Sequence, residues 1–475
     1  MTSSPPQRDG SGLLAAGPIT RDELLAAIGD GRIETVAIAA PDQFGRLFGK
    51  RLAARSFAQD PDRGMDTCSV NVAWDLEQDF LAHVDYAGWH TGFHDMHGRP
   101  DFATARVWPF ADKTAIVLCD LTEEGGADIE IAPRTVLRRQ LARARAAGFV
   151  CKTASELEFH VFRESYDEAR AKGYRDLTPA PGHCNDYLIL GQAQVEPFLA
   201  DVRRVLTDLG VPVEGSKGEW GWGQTEVNLH YAEALEAADR HVLYKEAVKE
   251  LAQRHDMSVT FMALPFRGTA AAQQPPSGSS CHVHVSLWDD DGVVNRFAGG
   301  RRDERGPATL RHFLGGMMQG IAQLMPLYAP YVNSYKRLRA EDFSPCSIAW
   351  GYDNRSVAFR VVGEGEAARI ENRVPGADVN PYLAYAAMIG SGLHGIANEL
   401  EPGVFATANA RTMPGVEQLP RSLAEAVAAF RDSELAAEIL TPDVVRHYAA
   451  FAEHEVEKHE SAVTDRERES GYEQA

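Results

Sequence analysis

Four short stretches of this chain alternate an apolar row with a row of glutamate, histidine or arginine, and this pattern restricts the possible folds more than any other feature. In residues 155–162 (SELEFHVF), Leu157, Phe159 and Val161 alternate with Glu156, Glu158 and His160. In residues 223–230 (GQTEVNLH), Val227 and Leu229 oppose Gln224, Glu226, Asn228 and His230. Residues 281–288 (CHVHVSLW) set His282, His284 and Ser286 against Val283, Val285 and Leu287, and residues 369–374 (RIENRV) carry Arg369, Glu371 and Arg373. Side chains on a strand alternate between two faces, so each stretch has one face that needs a core and a second that carries charge. Taken singly, such a pattern usually marks a solvated sheet face. Solvated faces are rich in Lys, Thr and Ser, however, and lysine is absent from all four rows.

Carboxylates in line beside an apolar row repel each other and resist desolvation, and bound cations offset both costs. Glu156, Glu158, Glu219, Glu226 and Glu371 are hard oxygen ligands, with His282 as a nitrogen partner. This donor set suits Mg²⁺ or Mn²⁺ rather than structural zinc, and it is too large for one ion, so two or more sites are expected. Arg355, Arg360, Arg369 and Arg373 lie in the same part of the chain, and guanidinium forks match phosphate oxygens. No Walker loop is present: residues 45–50 (GRLFGK) have the wrong spacing and no Ser or Thr after the lysine. A bound nucleotide would therefore be held by cations and arginines.

At 475 residues the chain is long enough for two or three domains, and its formal charge of −20 argues against nucleic acid and anionic membrane as partners. The six cysteines are scattered without a CxxC pair, the N-terminus has no signal-peptide pattern, and no apolar run reaches membrane-span length. The expectation is a soluble cytoplasmic protein with free thiols. Residues 1–18 read as a flexible tail, residues 19–125 as a small α+β domain, and residues 126–475 as a larger domain. Thr20 to Glu23 has capping-box spacing, residues 35–39, 47–52 and 115–119 read as strands, and 121–127 as a polar boundary. Helices are expected from Pro133 to Gly148 and over residues 232–255.

The four strands occur in a recognisable order with NSYKR at 333–337, GYDNRSVAFR at 351–360, RIENRVPGADVNPYL at 369–383 and GLHGI at 392–396. From about residue 35 to 400 this order resembles the glutamine synthetase superfamily. The resemblance implies a small N-terminal β-grasp domain, then a catalytic α+β domain whose curved antiparallel sheet carries the active site. It implies that Glu158, Glu219 and Glu226 ligate one metal ion and that Glu156, His282 and Glu371 ligate a second. It places Arg355 and Arg360 at the transferred phosphate, and His284, Ser286 and Arg369 at the nucleotide. Arg337, Arg373, Gly278 and Glu158 fall at the glutamate. The implied reaction uses ATP to make γ-glutamyl phosphate, which an amine then attacks. Family members assemble as stacked hexameric rings, so a homo-oligomer is expected.

Several positions depart from the family. Glutamine-forming members carry an acidic residue in the flap after NSYKR, whereas residues 336–345 here read KRLRAEDFSP, with Phe343 at that position. An aromatic ring cannot take a proton from ammonium, but it can pack on the carbon chain of a larger amine. Glu341 or Asp342 is the alternative source of an acid. The Asn-Gly that contacts the amino acid reads Ser277-Gly278, residues 261–265 read FMALP without the usual lysine, and Asp66 only weakly matches the ammonium-site motif. The adenylylated-tyrosine motif is also absent, with residues 398–402 reading NELEP. The sequence thus points to a γ-glutamylamide synthetase acting on a polyamine, a monoamine or ethanolamine. The alternatives are a glutamine synthetase using ammonium and an inactive homologue.

Overall fold

The computed structural model describes residues 16–81, 84–265, 277–299, 305–338 and 343–475. The chain opens as expected: Thr20 caps the helix Arg21–Gly29, and Glu23 reaches back to the Thr20 N–H at 2.8 Å. Seven strands then form the first sheet: β1 (Gly17–Pro18), β2 (Thr35–Pro41), β3 (Leu47–Ala53), β4 (Met65–Cys68), β5 (Asp95–Pro100), β6 (Arg106–Val107) and β7 (Thr114–Thr122). Its main path runs β1-β6-β7-β2-β3, with β5 joining β7 and β4 joining β5. β2 and β3 form a hairpin whose turn is held by Asp42, which accepts from the N–H groups of Phe44 and Arg46 at 2.9 and 2.8 Å.

The second sheet has nine strands: β8 (Val150–Phe162), β9 (Val213–Gly218), β10 (Gln224–Leu229), β11 (Ala232–Glu233), β12 (Ser258–Thr260), β13 (Cys281–Trp288), β14 (Trp350–Tyr352), β15 (Phe359–Val362) and β16 (Arg369–Asn372). Its order is β14-β15-β16-β13-β8-β10-β9, with β11 and β12 each pairing with β8. The four expected strands are thus neighbours. Their apolar rows join one continuous core that extends from Val36 and Val117 in the first sheet to Leu157, Val283 and Tyr385. Phe159 packs on Phe198 and Phe261, and Tyr244 of the helix Ala234–Arg254 meets Phe261 from the other side.

The α+β class stands, but the expected curved antiparallel sheet does not. Both sheets are open and mixed: β2 runs parallel to β7, and β14 runs parallel to β15. Alternating polarity marks which face a side chain occupies, but it is silent on strand direction and on closure. Two element ends also differ from expectation. β8 begins at Val150 because residues 150–153 continue the ladder with β13 and reach β11. Ala232 and Glu233 belong to that β11 pairing, so the helix starts two residues later than its periodicity suggested. No helix among the described residues is long and apolar enough to cross a membrane.

Candidate active site

Pairing register gathers the charged rows of the second sheet. Glu158 lies opposite Glu226 across β8 and β10, while Glu156 lies opposite His282 across β8 and β13. His284 faces Glu371 across β13 and β16, and Glu371 faces Arg360 across β16 and β15. Two groups result. Glu158, Glu219 and Glu226 have carboxylate oxygens within 4.8 Å of one another, and Glu156, His282 and Glu371 form a second group within the same limit. Glu219 comes from the loop between β9 and β10, so the sheet alone does not complete the first group.

The electrostatics of the two groups differ. In the first, burial and then the neighbouring Glu219 push the Glu158 carboxyl up to about 7. Burial and then Glu156, Glu219 and Glu158 push Glu226 up to about 11. Glu158 accepts from the Ser280 N–H (2.8 Å), the Ser280 hydroxyl (2.6 Å) and Gln224 Nε2 (2.7 Å), which fixes its carboxylate on β8. In the second group burial again opposes charge, but hydrogen bonds from His282 and His284 hold Glu156 well below the usual range. Glu371 is held at about 2 against its burial by His282, His284 and Arg373. Its carboxylate takes hydrogen bonds from Arg360 (2.8 Å) and Arg373 (2.5 Å).

The remaining expected residues surround these groups. Arg337 is buried, donating to the carbonyls of Val374 (2.8 Å) and Arg373 (3.3 Å), while its Nε has no partner. The Nε atoms of Arg360 and Arg373 are likewise buried and unpartnered. Gly278 permits this arrangement: a β-carbon there would lie 2.5 Å from Arg337 Cγ. Its neighbour Ser277 bonds Gln224 Oε1 at 2.5 Å. His284, Ser286 and Arg369 share a cleft of about 360 Å³ with Glu156, and Arg369 Nε donates to His284 Nδ1 at 3.2 Å. Arg355 stands exposed in the β14–β15 connection, with no hydrogen bond to either acid group among the described residues. Phe343 is 64% exposed, with a left-handed φ of +52°. Asp66 lies in the first sheet, bonded to His97 (2.6 Å) and Arg63 (2.7 Å). Glu341 and Asp342 lie outside the described residues.

Some residues of the site were not legible in the sequence. Lys217 ion-pairs with Glu219 and lies 3.8 Å from Glu226, and although burial opposes its charge, the two carboxylates raise its pKa. Within the 360 Å³ cleft, Tyr231 and Trp288 stack at 6.4 Å with an interplanar angle of 15°, and the Lys152 ammonium sits 3.6 Å over Trp288. Tyr231 directly follows the row that ends at His230, and Trp288 lies two residues past Ser286 at the end of the stretch 281–288. His160, by contrast, turns out to be a core residue: fully buried, it meets Ser279 Oγ at 3.0 Å, and desolvation pushes it down to about 3.

Three comparisons with known proteins agree with this arrangement. The family described as glutamine synthetase, catalytic domain, matches residues 130–470. The chain is 40% identical over 457 residues to the γ-glutamylethanolamide synthetase GlnA4 of Streptomyces coelicolor, covering 96% of each chain. It is 35% identical over 442 residues to a glutamate–isopropylamine ligase of a Pseudomonas species, covering 91% of this chain and 94% of the other. A solved structure of ligand-free GmaS superposes with a TM-score of 0.81 at 28% identity, covering 95% of this chain and 99% of that one. The catalytic-domain match over residues 130–470 and the 40% identity across 96% of the chain make it a member of the glutamine synthetase family.

Proposed function

We propose that this protein is an ATP-dependent ligase joining the γ-carboxylate of glutamate to a small organic amine through γ-glutamyl phosphate. The observation that carries the reading is the side-by-side pair of acid groups, ringed by buried arginines with orphaned Nε atoms. Such a site has more carboxylate than counter-charge around Glu158 and Glu226 and guanidinium donors still to be used, which a metal–nucleotide complex and an amino-acid carboxylate would offset and engage. The choice of an organic amine is supported by Phe343 and by the names of the two relatives, which specify an ethanolamide product and an isopropylamine acceptor.

Glu158, Glu219 and Glu226 would hold one divalent cation, and Glu156, His282 and Glu371 another. All-oxygen and oxygen–nitrogen donor sets fit Mg²⁺ or Mn²⁺, and the raised Glu158 and Glu226 fit a group of three carboxylates with Lys217 as its one neighbouring ammonium among the described residues. Bound cations would neutralise phosphate oxygens during transfer. Arg360 and Arg355 would flank the γ-phosphate, while His284, Ser286 and Arg369 would hold the nucleotide, with the Tyr231–Trp288 wall offering a flat surface to its base. Arg337 and Arg373 would grip glutamate at Gly278, beside Glu158. Because Arg337 is held by two backbone carbonyls, its fork is oriented before substrate arrives. Phosphorylation converts an inert carboxylate into an acyl phosphate, and the amine then displaces phosphate at that carbon.

In the same reading, residues 19–125 are the smaller domain and 126–475 the catalytic one, working in a cytoplasmic homo-oligomer of stacked hexameric rings. Of the expected tail 1–18, residues 1–15 lie outside the described residues and Gly17–Pro18 pair with β6 as β1. The six free cysteines are in keeping with a reducing compartment. The test is phosphate release from ATP with magnesium and glutamate, across ammonium, ethanolamine, isopropylamine and putrescine, with product masses recorded. A γ-glutamylamide of one organic amine, formed in preference to glutamine, is expected. Turnover with ammonium alone would make the chain a glutamine synthetase, and no turnover with any acceptor would leave an inactive homologue.

A further inference from the structure

The loop between β9 and β10 carries a residue that no role has yet claimed. Trp220 follows Glu219 of the first acid group directly, yet its side chain is not in the core: it is 42% exposed. Its ring meets that of Phe343, with centroids 6.2 Å apart and an interplanar angle of 71°. Two large aromatic rings, both substantially exposed, thus face each other at the rim of a strongly charged site. The loop is also pinned. A β-carbon on Gly221 would lie 2.6 Å from Gln224 Oε1 and 2.7 Å from Ser277 Cβ, so the backbone beneath Trp220 touches the segment that contains Gly278. Gln224 itself bonds Glu158 and the Gly278 carbonyl. Trp220 is therefore fixed relative to the expected glutamate position, while Phe343 adopts a left-handed backbone that residues with a β-carbon rarely tolerate.

We propose that Trp220 and Phe343 together form the acceptor subsite, an aromatic seat for a primary amine with a short apolar carbon chain. The proposal rests on the amine-ligase reading above. Exposed aromatic area is costly in water and is recovered when an apolar ligand covers it. An edge-to-face pair presents both a ring face and a ring edge, which suits a methylene chain, and the faces also attract the protonated amine as it arrives. The reaction balances simply. The protonated amine first loses one proton to solvent and becomes nucleophilic. Its nitrogen then attacks the γ-carbonyl carbon, a C–N bond forms, the C–O bond to phosphate breaks, and the nitrogen releases a second proton. Trp220 takes no part in these bond changes; its contribution is to the binding of the carbon chain.

The experiment compares wild type, Trp220→Ala and Trp220→Phe with methylamine, ethylamine, propylamine and butylamine, using hydroxylamine as a chainless acceptor. In wild type KM should fall about fourfold for each added methylene until the seat is filled. Trp220→Ala should flatten that series and raise KM for propylamine roughly tenfold, leaving KM for hydroxylamine, ATP and glutamate within about threefold. Trp220→Phe should restore most of the slope. An unchanged slope in Trp220→Ala, or an equal loss for hydroxylamine and propylamine, would overturn the seat while leaving the amine-ligase reading intact. Hydroxamate formation by wild type with no alkylamide product would overturn both.

Discussion

Two clusters of buried charge among the described residues differ in kind: one closes on itself, and the other does not. Where the first sheet meets the helices, Arg134 on the helix Pro133–Ala146 is 2% exposed and spends its donors on three carboxylates. It makes a bidentate pair with Asp239 (3.0 and 2.8 Å) and single bonds to Asp120 (2.5 Å) and Asp101 (3.0 Å). Arg138 adds a second guanidinium to Asp101 and Asp120, and the Tyr382 hydroxyl donates to Asp239 at 2.6 Å. Burial works against the charge on Arg134, but the surrounding carboxylates raise its pKa well above the usual value. In the acid groups of the second sheet, by contrast, Glu158 and Glu226 are driven toward the neutral form and three arginine Nε atoms are left over. A buried charge cluster that satisfies itself fits a scaffold role, whereas one left short of counter-charge fits the ligand site proposed above.

Substitutions that open the closed cluster or neutralise the open one test this contrast. The largest effect should come from Arg134→Met, which strands Asp239 without a guanidinium, leaves Asp120 to Arg138, and should cost about 3–5 kcal/mol of stability by chemical denaturation. If stability is unchanged, the closed cluster is not structural. Glu226→Gln should act in the opposite sense. Activity should fall by about 10²–10³-fold, yet the EDTA-treated protein should become more stable.

The sign of that stabilisation follows from the raised Glu226. Between pH 4.5 and about 11 the unfolded chain releases a proton that the folded chain keeps, so wild-type stability falls as pH rises. The gain for Glu226→Gln should therefore be near zero at pH 4.5, reach about 3 kcal/mol at pH 7 and go on growing toward pH 11. Thermal unfolding in EDTA at pH 5 and pH 8 measures it, and a gap that narrows with pH would refute the account. The smallest effect belongs to Tyr382→Phe, which removes one hydrogen bond from a cluster that stays otherwise complete. A loss of about 1 kcal/mol with activity within twofold of wild type is expected. A tenfold loss of activity would mean the two regions are coupled.

The difference between the regions also explains what could be read in advance. The rows holding Glu156, Glu158, Glu226, His282 and Glu371 were visible because each lies on a strand whose period of two separates charge from core within a few residues. Arg134 gave no such signal. Its partners Asp120, Asp101 and Asp239 lie 14, 33 and 105 positions away, on separate elements, and nothing in the local pattern links them. Lys217 and Trp220 were missed for related reasons: Trp220 follows Glu219 in a loop, where no periodicity assigns side chains to a face, and Lys217 sits on β9, whose sequence VEGSKG has no apolar row to mark a face.

By itself, the sequence determined which residue types share a strand face, and hence Glu156, Glu158, Glu226, His282 and Glu371 of the two acid groups, while the loop residue Glu219 came only through the family resemblance. Those properties are local, set by the alternation of the backbone and the chemistry of each side chain. Only the tertiary structure decided that β8 stands between β10 and β13, so that Glu158 meets Glu226 while Glu156 meets His282. It also decided that the sheet is open and mixed, and that Trp220 faces Phe343 across 123 residues of chain. Strand order, strand direction and loop apposition depend on how the whole core packs, and no short window of residues contains that information.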